Sequence, residues 1–169
     1  MSLLPDPLHP AIVHFPIALS MVALLFELIA RHPRARSMGT AAGVLLVLAA
    51  IGSVVAVLTG NAAHDEAVVP AAVAPLVAQH EQVGEIAMWL LLAVAVVRIA
   101  LAWRGWLRGW LGWAFLLALA GVTALVGFNG YLGGRMVFDH GLGTAPVQRQ
   151  GARAPAPPST TGLPATVPK

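Results

Sequence analysis

The sequence predicts an all-α integral membrane protein, a four-helix bundle whose chain crosses the bilayer up, down, up and down. Hydrophobic residues make up 58% of the 169 residues and charged residues only 10%, whereas a soluble domain carries about 25% charged residues. The mean hydropathy is +0.79, and a chain this short cannot hide so much apolar surface in a water-soluble core. Lipid is therefore the predicted surrounding of most of the surface.

Four apolar runs meet the requirement of about 20 residues for each helical crossing. They cover residues 11–30, about 38–60, about 84–103 and about 110–131. The first run should not be a cleaved signal peptide, because it is too long and ends in arginines rather than small residues. Within it, Pro16 lacks the amide hydrogen that would bond to Ile12, so we expect the helix to be disturbed there. Residues 1–143 are predicted to form the four-span domain.

Arginines give the predicted orientation. The first and third connections carry or adjoin six of them, at Arg31, Arg34, Arg36, Arg98, Arg104 and Arg108. The second connection, residues 61–83, has no Lys or Arg but contains Asp65, Glu66 and Glu81. By the positive-inside rule the first and third connections are cytoplasmic, so both termini should be periplasmic. Arginine far outnumbers lysine and alanine is abundant, which is typical of a GC-rich bacterial source. A helical membrane protein from such a source is expected in the inner membrane.

Several classes of function are disfavoured. The chain has no cysteine, so disulfides, iron–sulfur ligation and thiol catalysis are not expected. The basic residues do not form one patch, which argues against nucleic acid as a partner. The sequence shows no nucleophile–base pair and no phosphate loop, so an enzyme with its own substrate is not indicated. Residues 144–169 are rich in Pro and Ala and are predicted to form an extended or disordered periplasmic tail.

The histidines are the most informative feature. Five of the six lie where predicted spans one and three begin or spans two and four end, so we expect them at one end of the bundle. These five are His9, His14, His64, His80 and His140, while His32 lies at the other end. Imidazole is a common ligand of haem iron, copper and zinc, and four-helix bundles build cofactor sites from facing helices. A cofactor site at this end is therefore predicted, although each histidine could instead be a polar residue that caps a helix end.

Bundle geometry suggests which histidines would pair. Spans one and three are diagonal in a square bundle, so His14 and His80 are the predicted axial ligands of a haem b iron. His64 and His140 form a second diagonal pair. His9 is a further candidate, but it lies five residues before His14, roughly 140° around a helix, and cannot share its face. Asn129 in the last span is expected to hydrogen-bond across the bundle or to the cofactor edge.

Two other groupings of polar residues stand out. His64-Asp65-Glu66 and His80-Glu81 could bind a divalent metal with mixed nitrogen and oxygen ligands, although no H-E-x-x-H or H-x-H motif is present. Glu27 and Arg98 fall at the same predicted depth, and opposite charges within a membrane normally pair. An ion pair between these two residues is therefore predicted.

Both ends of the helical region resemble one known family. Residues 8–19, L-H-P-A-I-V-H-F-P-I-A-L, resemble the H-P-x-x-V-H-F-P-I-A-L opening of the bacterial membrane family DUF2231. Residues 130–143, G-Y-L-G-G-R-M-V-F-D-H-G-L-G, resemble its G-W-L-G-G-x-L-V-x-x-H-G-x-G close, with Tyr131 in place of the usual Trp. His80 matches the family's usual histidine at the start of the third span. The resemblance covers about residues 8–145 and leaves out the tail.

The resemblance implies a four-span fold, and some relatives occur joined to or beside Rieske-type or cytochrome modules. By analogy this favours haem. The function expected from the sequence is a b-type haem-binding membrane protein that transfers electrons at the periplasmic face, alone or with other membrane redox subunits. Two alternatives remain open: a cofactor-free structural subunit of a respiratory or photosynthetic complex, and a periplasmic-facing metal-binding protein.

Overall fold

Helices make up most of the computed structural model, which describes residues 8–66 and 69–142. They are α1 (His9–Ile12), α2 (His14–Ile29), α3 (Met38–Glu66), α4 (Ala74–Trp103) and α5 (Gly109–Phe138), with a 3-10 turn at Pro33–Ala35. No strand occurs in these residues, so the predicted all-α class is confirmed. The predicted tail lies outside the described residues.

Four helical segments are long and apolar enough to cross a membrane. They are His9–Ile29, which combines α1 and α2, Met38–Asp65, Ala74–Trp103 and Gly109–Phe138. The protein is therefore a multi-pass membrane protein with four spans, as predicted.

The four spans pack as a closed square. Each packs mainly against the next along the chain, and α5 also packs against α2, so that α2 and α4 are diagonal, as are α3 and α5. The centre contains one fully buried side chain from each span, Ala23, Leu46, Leu91 and Leu119. Large apolar side chains such as Leu58, Val96 and Leu117 are exposed on the outer surface, where lipid would cover them. The alternating direction of the spans places both ends of the described chain at one end of the bundle.

The connection between the second and third spans is much shorter than predicted. Residues 61–83 were expected to form it, but α3 continues to Glu66 and α4 already begins at Ala74. Hydropathy locates the end of an apolar run, whereas a helix continues as long as its backbone hydrogen bonds are made. Polar residues such as His64 and His80 are therefore held on helices.

The turn between α4 and α5 depends on two glycines. Gly105 and Gly109 have φ angles of +68° and +69°, in the left-handed region that glycine adopts without strain. The Arg104 guanidinium lies over the Trp106 ring, 5.3 Å from its centroid. The exposed tryptophans of this region, Trp103, Trp106, Trp110 and Trp113, fit the belt of aromatic residues found at membrane interfaces.

Candidate functional site

Two imidazole rings meet at the end of the bundle where α1 and α4 begin, which we call the histidine end. The ring centroids of His9 and His80 are 6.2 Å apart, and the ring planes make an angle of 80°. His9 belongs to the first span and His80 to the third, so the contact crosses the bundle along a diagonal. Both side chains are half-buried.

Backbone carbonyls orient both rings. Nδ1 of His9 lies 2.8 Å from the Ala56 carbonyl oxygen and 3.3 Å from the Thr59 hydroxyl. Nδ1 of His80 lies 3.1 Å from the Asn129 carbonyl oxygen. A carbonyl oxygen can only accept a hydrogen bond, so Nδ1 carries the proton in each ring and Nε2 of the neutral ring keeps its lone pair. This is the tautomer of a histidine that binds a metal through Nε2, with the other nitrogen bonded to a second group.

Glycines on neighbouring helices make room for these rings. A Cβ atom at Gly60 would lie 2.9 Å from Cε1 of His9, and one at Gly133 would lie 3.2 Å from Cε1 of His80. A third glycine, Gly84, lies beside the Asn129 side chain in the same way: a Cβ atom there would lie 3.0 Å from the side-chain amide nitrogen of Asn129. Sequence reasoning did not identify these positions, because glycine is common throughout the chain.

Replacing Gly60 with alanine should displace His9 and leave the fold about 1–3 kcal/mol less stable than the control variant Gly121→Ala, the usual cost of overpacking. Gly121→Ala is the matched control, because a Cβ there has no heavy atom within 4 Å and alanine favours helix by about 1 kcal/mol. Thermal unfolding of the two variants in the same detergent measures the difference. Equal midpoints would show that His9 is not packed against Gly60.

His14 does not take part in the contact with His80 that the sequence suggested. The buried positions of α2 are Pro16, Ser20, Ala23 and Glu27, which lie on one helical face. His9 lies seven residues before Pro16, about two helical turns, and so falls on the same face. His14 lies off this face and is exposed. The expected separation of His9 and His14 onto different faces is therefore present, but it is His9 that faces the bundle.

The other two histidines of this end, His64 and His140, have no recorded contact with His9 or His80 in the described part of the chain. His64 forms a hydrogen-bond contact with Glu81 between α3 and α4, and both side chains are partly exposed. His140 follows α5 and is exposed, and its side chain has no hydrogen-bond or ring partner among the described residues. The structure thus records no contact between His64 and His140, the second pair expected from the sequence.

Asn129 is the remaining predicted site residue, and it lies directly beside the pair. Its backbone carbonyl, rather than the side chain expected to bond across the bundle, receives the hydrogen bond from His80. Its side-chain oxygen is buried and has no hydrogen-bond partner in the described part of the chain. A buried polar atom left without a partner costs about 1–3 kcal/mol, so this oxygen is available to a polar group of a ligand.

The donor set restricts which metal group could bind. Among the side chains that the structure describes, no three of His, Cys, Asp or Glu converge to hold a metal ion. Structural zinc takes four protein ligands and catalytic zinc three. A haem group would need only two protein ligands for its iron, which His9 and His80 could supply.

The opposite end of the bundle contains the predicted ion pair. Glu27 is 1% exposed and Arg98 is 6% exposed, and the Arg98 guanidinium contacts the Glu27 carboxylate. Arg31, which the prediction did not include, lies 3.0 Å from the same carboxylate and also donates to the Leu107 carbonyl oxygen at 2.8 Å. Arg98 also donates to the Gly39 carbonyl oxygen. One buried carboxylate, that of Glu27, therefore holds both Arg31 and Arg98.

Comparison with known proteins identifies one family. The family model described as "Predicted membrane protein (DUF2231)" matches residues 5–146. No curated protein and no solved structure matches the chain.

Proposed function

The chain belongs to the DUF2231 family of predicted membrane proteins, and from that premise we propose that it is a b-type haem-binding protein that transfers electrons at one face of the membrane. The observation that carries the proposal is the contact between His9 and His80. These are two half-buried imidazoles from diagonal spans, each with Nδ1 facing a backbone carbonyl oxygen. The two residues proposed to hold the haem iron are therefore His9 and His80.

The spacing of the rings supports this proposal. Two imidazoles that each bind the same metal ion through one nitrogen at about 2.0–2.1 Å would have ring centroids up to roughly 6 Å apart. The observed separation is 6.2 Å. A ligand pair with this spacing fits haem better than zinc, because no third protein ligand converges on it in the described residues.

The chain's own residues would hold and tune the group. His9 and His80 would hold the iron, and a bound haem would supply one-electron chemistry. The carbonyl oxygens of Ala56 and Asn129 accept hydrogen bonds from Nδ1, which fixes the ring orientations. Such hydrogen bonds also make Nε2, the nitrogen that would bind the metal, more basic. The unpartnered side-chain oxygen of Asn129 would be able to accept a hydrogen bond from a protonated propionic acid group of the haem.

We further propose that the protein lies in the bacterial inner membrane with the histidine end in the periplasm. Six arginines adjoin the turns at the opposite end, which the positive-inside rule places in the cytoplasm. A protein that transfers electrons must receive them from one group and pass them to another. Other membrane redox subunits are therefore the proposed partners.

Reporter fusions test this orientation. Fusions after Pro70 and after Ala154 should be active with a periplasmic reporter enzyme and inactive with a cytoplasmic one. A fusion after Arg34, in the first arginine turn, should give the reverse result and serves as the internal control. The opposite pattern at all three positions would overturn the proposed orientation.

The absorption spectrum of the purified protein tests the proposed function. Protein made with an ample haem supply should show a low-spin b-type spectrum whose bands sharpen on reduction. A folded protein that is colourless and metal-free under these conditions would contradict the proposal and support the cofactor-free structural subunit. A colourless protein that contains stoichiometric zinc or copper would instead support the metal-binding alternative.

A further inference from the structure

A large cleft opens at the end of the bundle opposite the histidine end. It lies between α3 and α4, has a volume of about 1080 Å³, and extends to the turns that precede α3 and α5. Ligand pockets commonly have volumes of about 300–1,000 Å³, so the cleft has room for more than a small ion. Its walls combine arginines with apolar side chains.

The positive charge of the cleft is only partly neutralised. Four arginines line it together with one carboxylate, Glu27, and that carboxylate is bound by Arg31 and Arg98. Arg36 and Arg108 also line the cleft. Both side chains are exposed, and their guanidinium groups have no hydrogen bond or ion pair among the described residues. Two cations at the membrane interface are thus available to an anion.

The remaining walls are apolar. Val44 and Leu48 of α3 and Ile99 of α4 line the same cleft and are exposed to the outside of the bundle. Trp103 and Trp113 also line it, and tryptophan is enriched at the headgroup level of membranes. A free inorganic anion would leave this apolar surface uncovered, whereas a ligand with an anionic head and hydrocarbon chains would cover both parts.

We infer that the cleft binds an anionic phospholipid. Its phosphate lies between Arg36 and Arg108, whose planar guanidinium groups can each form paired hydrogen bonds with phosphate oxygens. Its acyl chains run along Val44, Leu48 and Ile99 towards the middle of the bilayer. Basic pockets between transmembrane helices on the cytoplasmic side bind anionic headgroups in the same manner.

Native mass spectrometry of the protein in a neutral detergent tests the site. Phosphatidylglycerol should bind at least about tenfold more tightly than phosphatidylcholine. Both lipids carry the phosphate, but the choline cation of phosphatidylcholine would lie beside the arginines of the cleft, and like charges brought together at a binding site cost several kcal/mol. The variant with Arg36→Ala and Arg108→Ala should bind both lipids equally. Arg34→Ala is the matched control, because Arg34 is an exposed arginine in the same turn region but does not line the cleft.

Each other outcome would overturn the inference. These are equal binding of the two lipids by the unaltered protein, a preference that survives the double substitution, or an equal loss with Arg34→Ala. Displacement of phosphatidylglycerol by inorganic phosphate at similar concentration would identify a free-anion site instead. Because the guanidinium groups of Arg36 and Arg108 form no hydrogen bond or ion pair within the described part of the chain, the thermal midpoint of the variant should be unchanged. The two single substitutions, each with a smaller loss, repeat the test if the double variant unfolds.

Discussion

Replacing Glu27 with leucine should destabilise the protein by about 3–5 kcal/mol, the usual cost of stripping a buried charge of its partner. The substitution leaves Arg98, which is 6% exposed, without a counter-charge inside the bundle. It also removes the carboxylate that lies 3.0 Å from Arg31. The free energy of unfolding in mixed detergent micelles measures the loss. Glu85→Leu is the matched control, since Glu85 is an exposed carboxylate without a described partner and should change stability by about 0.5 kcal/mol or less.

The double variant with Glu27→Leu and Arg98→Leu should recover most of this loss. Replacing both members of a buried ion pair with apolar residues is often neutral or stabilising. Arg31 would lose its carboxylate partner, but it would keep the bond to the Leu107 carbonyl oxygen and is close enough to the surface to be solvated. Losses that simply add in the double variant would show that Glu27 and Arg98 do not interact.

Replacing either His9 or His80 with alanine should abolish the haem spectrum or convert it to a high-spin form, because each substitution removes one axial ligand. Haem content and the absorption spectrum of the purified variants measure this effect. His14→Ala and His32→Ala are the controls, because both side chains are exposed and neither contacts the pair. Both controls should keep the unaltered spectrum.

This set of variants also separates the two possible axial pairs. Loss of haem from His14→Ala together with full retention by His9→Ala would restore the pair that the sequence suggested. Loss from variants of His64 and His140 alone would place the haem on the other diagonal. Either pattern would contradict the assignment to His9 and His80.

The spans could be predicted from the sequence because their cause is local. A run of about 20 apolar residues is enough to identify a crossing, and alternating direction then places their ends. The ends of α3 and α4 could not be located in this way. Polar residues such as His64 and His80 remain helical beyond the apolar runs, and hydropathy carries no information on this continuation.

The choice between His9 and His14 needed the rotation of the first span, which composition does not give. The buried positions Pro16, Ser20 and Ala23 define the inward face, and counting back seven residues from Pro16 reaches His9. The sequence contains this spacing, but nothing in it states which face of so apolar a helix is buried. Arg31 offered a clearer signal that was missed, because it follows Glu27 by four residues and such pairs meet on a helix.

Electron paramagnetic resonance of the oxidised, haem-loaded protein tests the central claim most directly. If His9 and His80 both bind the iron in the orientation held by their carbonyl partners, their planes are nearly perpendicular, at 80°. Ferric haem with two imidazoles in that arrangement should give a strongly anisotropic low-spin signal that disappears in His9→Ala and His80→Ala. A high-spin signal in the unaltered protein, a low-spin signal that survives both substitutions, or protein without haem would contradict it.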